Sequence, residues 1–553
     1  NPKPNIYSDP ITVMDFGSLY PSEMIASNLS HDCICEDPYW LGDEGAERIR
    51  KLGYDFLDRS YDNYTWVDPT NKNKGKKKDG VNTVRYIQYQ DEIEVNGKKE
   101  KRKGLLPQIL QKLLDARKKY KNLMAAEPDK TKAAVLDGLQ LAYKITANSL
   151  YGQVGAKTSK IYKPAIAAST TAGGRGRIIH ARDFVLKRFP GSEVVYGDTD
   201  SIFIKFDLRL ENGLRPSGRE AIELAIKMGK EAEAQIKKEL PPPHKLNYEK
   251  VFYPFILITK KRYIGIKYEE DPDKGKNTSM GVVTKRRDNA PILKHTFTGV
   301  IDVLMKERDI QKAIKFVQKT CTDMIDGKFD LNMFVISKTL NAYYKDPESI
   351  AHKVLADRMA ERDPGNKPAT NERIPFIFIK IEEQPGVEYL QGDRIEHVGF
   401  VREHKCKVDF EVYITNQIMK PVSQIFELVV ERLPKYPYRP GYFEELEIAF
   451  YNKYNGDLVK TAKKVSSEKM KLVKKLIFDP LIQYAIQKVE NTQTIDKWFC
   501  RATSDVNSNA EITTGPSSRK ETETATQSIP PPIVITGKKL KQTDLSTWFG
   551  AKS

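Results

Sequence analysis

Residues 193–206 read Glu193-Val194-Val195-Tyr196-Gly197-Asp198-Thr199-Asp200-Ser201-Ile202-Phe203-Ile204-Lys205-Phe206. Two runs rich in β-branched and aromatic residues flank a Gly-Asp turn, which predicts a β-hairpin with an acidic tip. Asp198 and Asp200 are two apart, so in extended chain their side chains point the same way. Residues 11–15, Ile11-Thr12-Val13-Met14-Asp15, read as a short buried strand that also ends in an acid, and Pro21 suits the first turn of a helix running through Met24, Ile25 and Leu29. Two adjacent strand tips would let these carboxylates converge on hard cations, for which Mg²⁺ is the natural choice. A solvated turn is the alternative, since Gly and Asp are ordinary turn residues, and taken alone the acids favour it.

A helical hairpin changes the balance. Apolar side chains at 106, 109, 110, 113, 114, 120 and 124 predict a helix over 105–124, and a second helix over 135–151 follows the breaker Glu127-Pro128-Asp129. The short link makes the pair antiparallel. Arg117 and Lys121 are i, i+4 on the first helix, while Lys144, Asn148 and Tyr151 are i, i+4, i+7 on the second. Arg117 and Lys121 continue the line of Leu106, Leu110 and Leu113, whereas a merely solvated stripe belongs on the opposite face. An anion is expected there, and a triphosphate fits, because guanidinium and ammonium groups form charge-assisted hydrogen bonds to its oxygens.

The rest of the chain frames these elements. Its 553 residues correspond to three to five domains on a prior of roughly 100–200 residues each. Lys and Arg exceed Asp and Glu by 91 − 74 = +17, which favours a polyanionic partner, nucleic acid first, over a plain basic surface. No apolar run approaches the ~18 residues of a membrane span, so no membrane partner is expected. Five cysteines, at 33, 35, 321, 406 and 500, cannot build a dense disulfide framework, and the expected setting is reducing and intracellular. From 37 to 104 the pattern degrades into Asp, Asn, Gly and Lys around a strand-like Thr83–Tyr89, which reads as an inserted, partly exposed element. A helix is expected at about 219–239, strands near 251–268 and a mostly helical region to about 499. From Cys500 to Thr547 there is no aromatic residue, and the Ser, Thr, Pro, Glu and Lys content predicts a disordered tail.

Three decoys are set aside. Asp15-Phe16-Gly17 is not a kinase signature, because no Gly-rich phosphate loop, strand lysine or His-Arg-Asp loop precedes it. Gly173-Gly174-Arg175-Gly176 follows no strand and lacks the spaced third Gly of a dinucleotide fingerprint. His31, Cys33 and Cys35 lack a fourth ligand, so no zinc is assigned.

Asp15-Phe16-Gly17-Ser18-Leu19-Tyr20-Pro21-Ser22, Lys144-Ile145-Thr146-Ala147-Asn148-Ser149-Leu150-Tyr151-Gly152 and Tyr196-Gly197-Asp198-Thr199-Asp200-Ser201 resemble, in order, the A, B and C motifs of family B DNA polymerases. Lys260-Lys261-Arg262-Tyr263 is similar to the family's primer-strand motif, and Gly281 with Arg286-Arg287-Asp288-Asn289 to the segment that closes its palm. Residues 357–365 and 413–421 resemble the thumb of the polymerase delta group. Five ordered motifs leave chance coincidence negligible.

The resemblance implies an α+β right-hand fold. An antiparallel-sheet palm would occupy 1–36 and 158–292, with an insertion at 37–104. Helical-hairpin fingers would occupy 105–157, a mostly helical thumb 293–499 and the tail 500–553. It implies a DNA-directed DNA polymerase extending a primer 3′ end in viral DNA replication, with two Mg²⁺ ions on Asp15 and Asp200 and Asp198 as an auxiliary acid. Ser18, Leu19, Tyr20, Arg117, Lys121, Lys144, Asn148 and Tyr151 would bind the incoming deoxynucleoside triphosphate, Tyr20 beneath the sugar to exclude a 2′-hydroxyl. Tyr151 and Gly152 would check the nascent base pair, and Lys260, Lys261, Arg262, Tyr263, Arg286 and Arg287 would contact primer-template DNA. Core packing is the alternative for Tyr20 and Tyr151. The family's exonuclease precedes motif A, so this chain is expected to be a fragment unable to proofread alone. Glu23, where cellular enzymes usually carry an apolar residue, and the insertion point to polymerases of large nucleocytoplasmic DNA viruses, working in the host nucleus or at a cytoplasmic replication site.

The tail ends in Gln542-Thr543-Asp544-Leu545-Ser546-Thr547-Trp548-Phe549, similar to the peptide that docks on PCNA-type sliding clamps. Gln542, Leu545, Trp548 and Phe549 would fill one pocket from a single tight helical turn. The rival reading is a catalytically silent, clamp-tethered DNA-binding protein of the same fold, against which the intact acid pair argues.

Overall fold

The computed structural model describes residues 2–71, 75–95, 98–210, 212–382 and 384–488. The expected tail, with Gln542, Leu545, Trp548 and Phe549, lies outside the described residues. The chain divides into two compact units between Met280 and Gly281.

In chain order the first unit contains β1 (Asn5–Tyr7), β2 (Ile11–Phe16), α1 (Leu19–Ala26), β3 (Ile34–Cys35), α2 (Gly42–Lys51), β4 (Asp55–Trp66), β5 (Lys76–Gln88), β6 (Glu92–Val95) and β7 (Lys98–Lys101). Then come α3 (Leu105–Ala126), α4 (Lys130–Gly155), α5 (Pro164–Arg188), β8 (Glu193–Asp198), β9 (Ser201–Lys205), α6 (Gly218–Ile236), β10 (Leu246–Thr259), β11 (Arg262–Tyr268) and β12 (Lys276–Met280). Six strands line up as β12-β11-β10-β2-β9-β8, with β1 also pairing β10, and every pairing is antiparallel. The central strand β2 is buried on both faces, so it reads as an apolar run rather than an alternation. Met14, Ile202 and Ile204 pack against Phe184 and Val185 of α5 and Ile222 and Ile226 of α6. Val13 and Phe203 turn the other way, onto Phe252, Phe255 and Tyr263. Central placement of β2 sets Asp15 opposite Ser201 on one side and Asn247 on the other.

The helix expected through Leu29 stops at Ala26. Asn28 turns left-handed at φ 52°, and its amide is spent on Ile87 O (2.8 Å) and Gly104 N (2.7 Å), which breaks the turn while Leu29 stays buried. The 37–104 segment is more regular than its composition suggests. It holds α2, the β4–β5 ribbon, to which β3 just before the segment adds a third strand, and the β6-β7 hairpin, and the strand expected at 83–89 is the end of the longer β5. Residues 76–83 of β5 are exposed throughout, so no burial period marks them in the sequence.

The second unit opens with α7 (Pro291–Lys306) and α8 (Ile310–Ile325), and is mostly helical as expected. It also contains an antiparallel sheet of Ile336–Thr339, Arg373–Phe378 and Ile395–His397 that the helical reading did not anticipate. Among the described residues, no helix is long and apolar enough to cross a membrane.

Candidate active site

Strand β2 delivers Asp15 into a tight turn before α1, where Gly17 N–H donates to Lys245 O (2.9 Å) and Ser18 adopts φ 54°, ψ 58°. Phe16 N–H donates to Asp200 O (2.8 Å), which stitches β2 to the β8–β9 tip just where both acids emerge. Thr199 at that tip and Lys261 at the β10–β11 turn are also left-handed, at φ 57° and 58°. Non-glycine residues hold such angles only where the surroundings over-determine them, and these three fall within the predicted motifs.

Burial, followed by the charges of Asp200 and Glu249, pushes the Asp15 carboxyl up to about 7. Burial also raises Asp200, with Asp198 and Glu249 adding to the effect. Two half-buried acids that resist ionising together are the electrostatic condition a divalent cation relieves, and hard carboxylate oxygens suit Mg²⁺. Among the described residues, no group of three or more His, Cys, Asp or Glu forms a fuller cage. Asp198 is engaged elsewhere. Its Oδ1 accepts from Lys261 Nζ (2.6 Å) and Thr199 Oγ1 (3.2 Å), and these bonds outweigh burial to hold its carboxyl low.

A cavity of about 420 Å³ gathers Asp15, Ser18, Leu19, Tyr20, Arg117, Lys144, Asn148, Tyr151 and Asp200. Asn28, Ser30 and Asp32 bind the backbone N–H groups of Gly104, Leu106 and Leu105, so the first turn of α3 is fixed to the end of α1. Arg117, three turns on, donates to Ser18 Oγ (3.2 Å) and Gln140 Oε1 (3.5 Å). The Tyr20 and Tyr151 rings lie 4.6 Å apart. Lys121 and Gly152 do not line this cavity. Lys260 and Lys261 are exposed at their turn, whereas Tyr263 is 6% exposed and packs its ring on Phe203 and Phe252, so the structure places it in the core. Arg286 and Arg287 belong to the second unit, where they line a separate cavity of about 490 Å³ with Lys338 and Arg373. Arg286 also pairs with Asp288 at 2.8 Å.

Sequence reasoning missed the environment of Glu23. This carboxylate is fully buried and accepts from Arg59 Nη2 (2.6 Å), Ser27 Oγ (2.7 Å) and Arg177 Nε (3.1 Å), with His244 Nε2 at 3.0 Å. The available signal was an acid set directly before Met24 and Ile25 in a helix expected to bury its apolar face, where it needs cations from elsewhere in the chain.

The chain matches the family model for DNA polymerase family B over residues 1–429. It is 39% identical to the DNA polymerase of Pyramimonas orientalis virus over 90% of this chain and 43% of that protein. It is 33% identical to the DNA polymerase delta catalytic subunit of Caenorhabditis elegans over 78% of this chain and 36% of that protein. The family B DNA polymerase of the hyperthermophilic archaeon Pyrobaculum calidifontis aligns at a TM-score of 0.49 and 22% identity, covering 77% of this chain and 46% of that one. The chain thus spans less than half the length of these relatives. From the match over residues 1–429 and the identity to these polymerases, the chain belongs to DNA polymerase family B.

Proposed function

We propose that the chain carries the nucleotidyl-transfer site of a DNA-directed DNA polymerase that extends a primer 3′ end in viral replication inside the host cell. The observation that carries this reading is one cavity holding two half-buried acids whose carboxyls are both raised, Asp15 and Asp200, together with Arg117, Lys144 and Asn148. Asp15 and Asp200 would hold two Mg²⁺ ions, which supply activation of the primer hydroxyl and charge neutralisation on the leaving pyrophosphate. Arg117, Lys144 and Asn148 bind and orient the triphosphate oxygens, with Lys121 further along the same helix. Tyr20 excludes a 2′-hydroxyl, and Tyr151 backs it. Lys260, Lys261, Arg262, Arg286 and Arg287 take the phosphates of primer-template DNA.

In this scheme residues 1–36 and 158–292 are palm, 37–104 an insertion, 105–157 fingers and 293–499 thumb, while 542–549 dock on a PCNA-type clamp. Primer extension with four deoxynucleotides and Mg²⁺ tests the reading. The parent is expected to extend, and Asp200→Ala is expected to bind primer-template without extending it. Extension by Asp200→Ala at the parental rate overturns the metal assignment.

A further inference from the structure

The insertion bonds to α5 through Tyr86 and to the α1 segment through Gln88 and Arg59, and Arg59 brings a charge. Arg59 on β4 is the insertion's contact with Glu23, and its Nη2 lies 2.6 Å from both Glu23 Oε1 and Ser27 Oγ. Arg177 closes the carboxylate from α5, and His244 does so from the segment before β10. His244 precedes Lys245, whose carbonyl holds the Gly17 turn.

Glu23 and Tyr20 are three apart on α1, hence on one face. That face meets two successive glycines of α5. A Cβ at Gly173 would stand 2.3 Å from Glu23 Oε1, and one at Gly174 would stand 3.0 Å from the Tyr20 ring. The seat of the Glu23 carboxylate and the seat of the Tyr20 ring are therefore neighbouring notches in the same helix. A buried carboxylate stays where its cations are, because moving away leaves an unpaired charge in a low-dielectric setting. Loss of Arg59 would remove the cation that pulls Glu23 toward the insertion and leave Arg177 and His244 alone to set where α1 sits against the glycine notches of α5.

We propose that Arg59 is a positioning residue for nucleotide selection, fixing the Tyr20 ring through the buried Glu23 carboxylate. The inference rests on the reading of the cavity as a nucleotide site, and gives the insertion a part in substrate choice. The test uses the full chain with three variants, Arg59→Ala, Arg59→Lys and Gly174→Ala. Arg59→Ala is expected to raise the deoxynucleotide KM and relax exclusion of ribonucleotides, each on the order of tenfold with kcat nearly unchanged, the scale of a sub-ångström misplacement. Arg59→Lys keeps the charge and loses the fork, so it falls between the parent and Arg59→Ala, and it carries the same test if Arg59→Ala does not fold. Gly174→Ala presses on the Tyr20 ring directly and is expected to give the same KM and selectivity change.

Parental KM and selectivity in both Arg59 variants, alongside a relaxed Gly174→Ala, overturn the inference and leave the site reading standing. If the parent itself fails to extend a primer, the site reading fails, and hydrogen exchange still decides the coupling. Arg59→Ala is expected to speed exchange across Leu19–Ala26 while leaving Gly218–Ile236 unchanged, and unchanged exchange in Leu19–Ala26 overturns it.

Discussion

The rings of Tyr20 and Tyr151 stand 4.6 Å apart, centre to centre, tilted by 48°. One follows the β2 turn and the other sits on α4, so the contact joins the two elements that would enclose a nucleotide sugar. The Tyr20 ring also lies close against Gly174, where an added Cβ would stand 3.0 Å from it, so the ring that would meet a 2′-hydroxyl is packed between α4 and α5. Tyr20→Ala is expected to raise ribonucleotide incorporation by on the order of a hundredfold, since a few kcal/mol of steric exclusion disappears with the ring. Competition between ATP and dATP in single-nucleotide extension measures it, and unchanged selectivity would sink the gate assignment.

Arg117 donates to Ser18 across the cavity, a bond that triphosphate oxygens would replace in the proposed nucleotide site. Arg117→Ala is expected to lower kcat/KM for deoxynucleotides by roughly 2 kcal/mol, about thirtyfold, the range of a lost hydrogen bond to a charged group. Steady-state extension at varied nucleotide checks it. Arg117→Lys recovers little, because a single ammonium replaces the planar fork. An unchanged KM in Arg117→Ala places the triphosphate elsewhere.

How much of this was legible beforehand differs element by element. The Asp15 strand, the Asp198–Asp200 hairpin and the α3–α4 pair carry their period in the chain, and the structure draws Asp15, Asp200, Arg117, Lys144 and Asn148 to one cavity. Helix α5 was opaque, because Gly173 and Gly174 at its centre were weighed only as part of a dinucleotide fingerprint, and α1 lying against them explains why neither carries a Cβ. The β4–β5 ribbon was opaque because its outer half buries neither face. Tyr263 shows the limit of reading by motif, since the neighbours Lys260 and Lys261 are exposed while its own ring faces the core. The ligands of Glu23 come from residues 59, 177 and 244, a convergence that no local pattern records.

Acid should undo the Glu23 cluster. Burial alone would raise this carboxyl, but bonds from His244 and Ser27 and the charges of Arg59 and Arg177 override it and hold it at about 2, against an ordinary 4.5. A group depressed in the folded state stabilises fully above its unfolded value, and the contribution drains as pH falls from 4.5 toward 2. The amount is on the order of 3 kcal/mol. Glu23→Gln is therefore expected to melt lower than the parent at pH 7, with the gap narrowing steadily below pH 4.5. Thermal melts of both proteins across that range provide the comparison, and parallel curves remove Glu23 from the acid response.

The tail prediction rests on sequence alone. Residues 501–541 would act as a tether and 542–549 as an anchor, so that clamp binding holds the enzyme near its primer by effective concentration. Lys538, Lys539 and Lys541 lead into the anchor, and Trp548-Phe549 ends a stretch otherwise empty of aromatics from Cys500. Aromatic anchors dominate interfaces of this kind, so replacing Leu545, Trp548 and Phe549 together by Ala is expected to cost on the order of 2 kcal/mol or more per side chain and abolish measurable clamp affinity. On a short primer without clamp, the same variant is expected to extend at the parental rate, because a tether would contribute nothing to the chemistry proposed for Asp15 and Asp200. Calorimetry with a PCNA-type clamp and clamp-free extension separate the two effects. Parental clamp affinity, or loss of clamp-free extension, would overturn the tether.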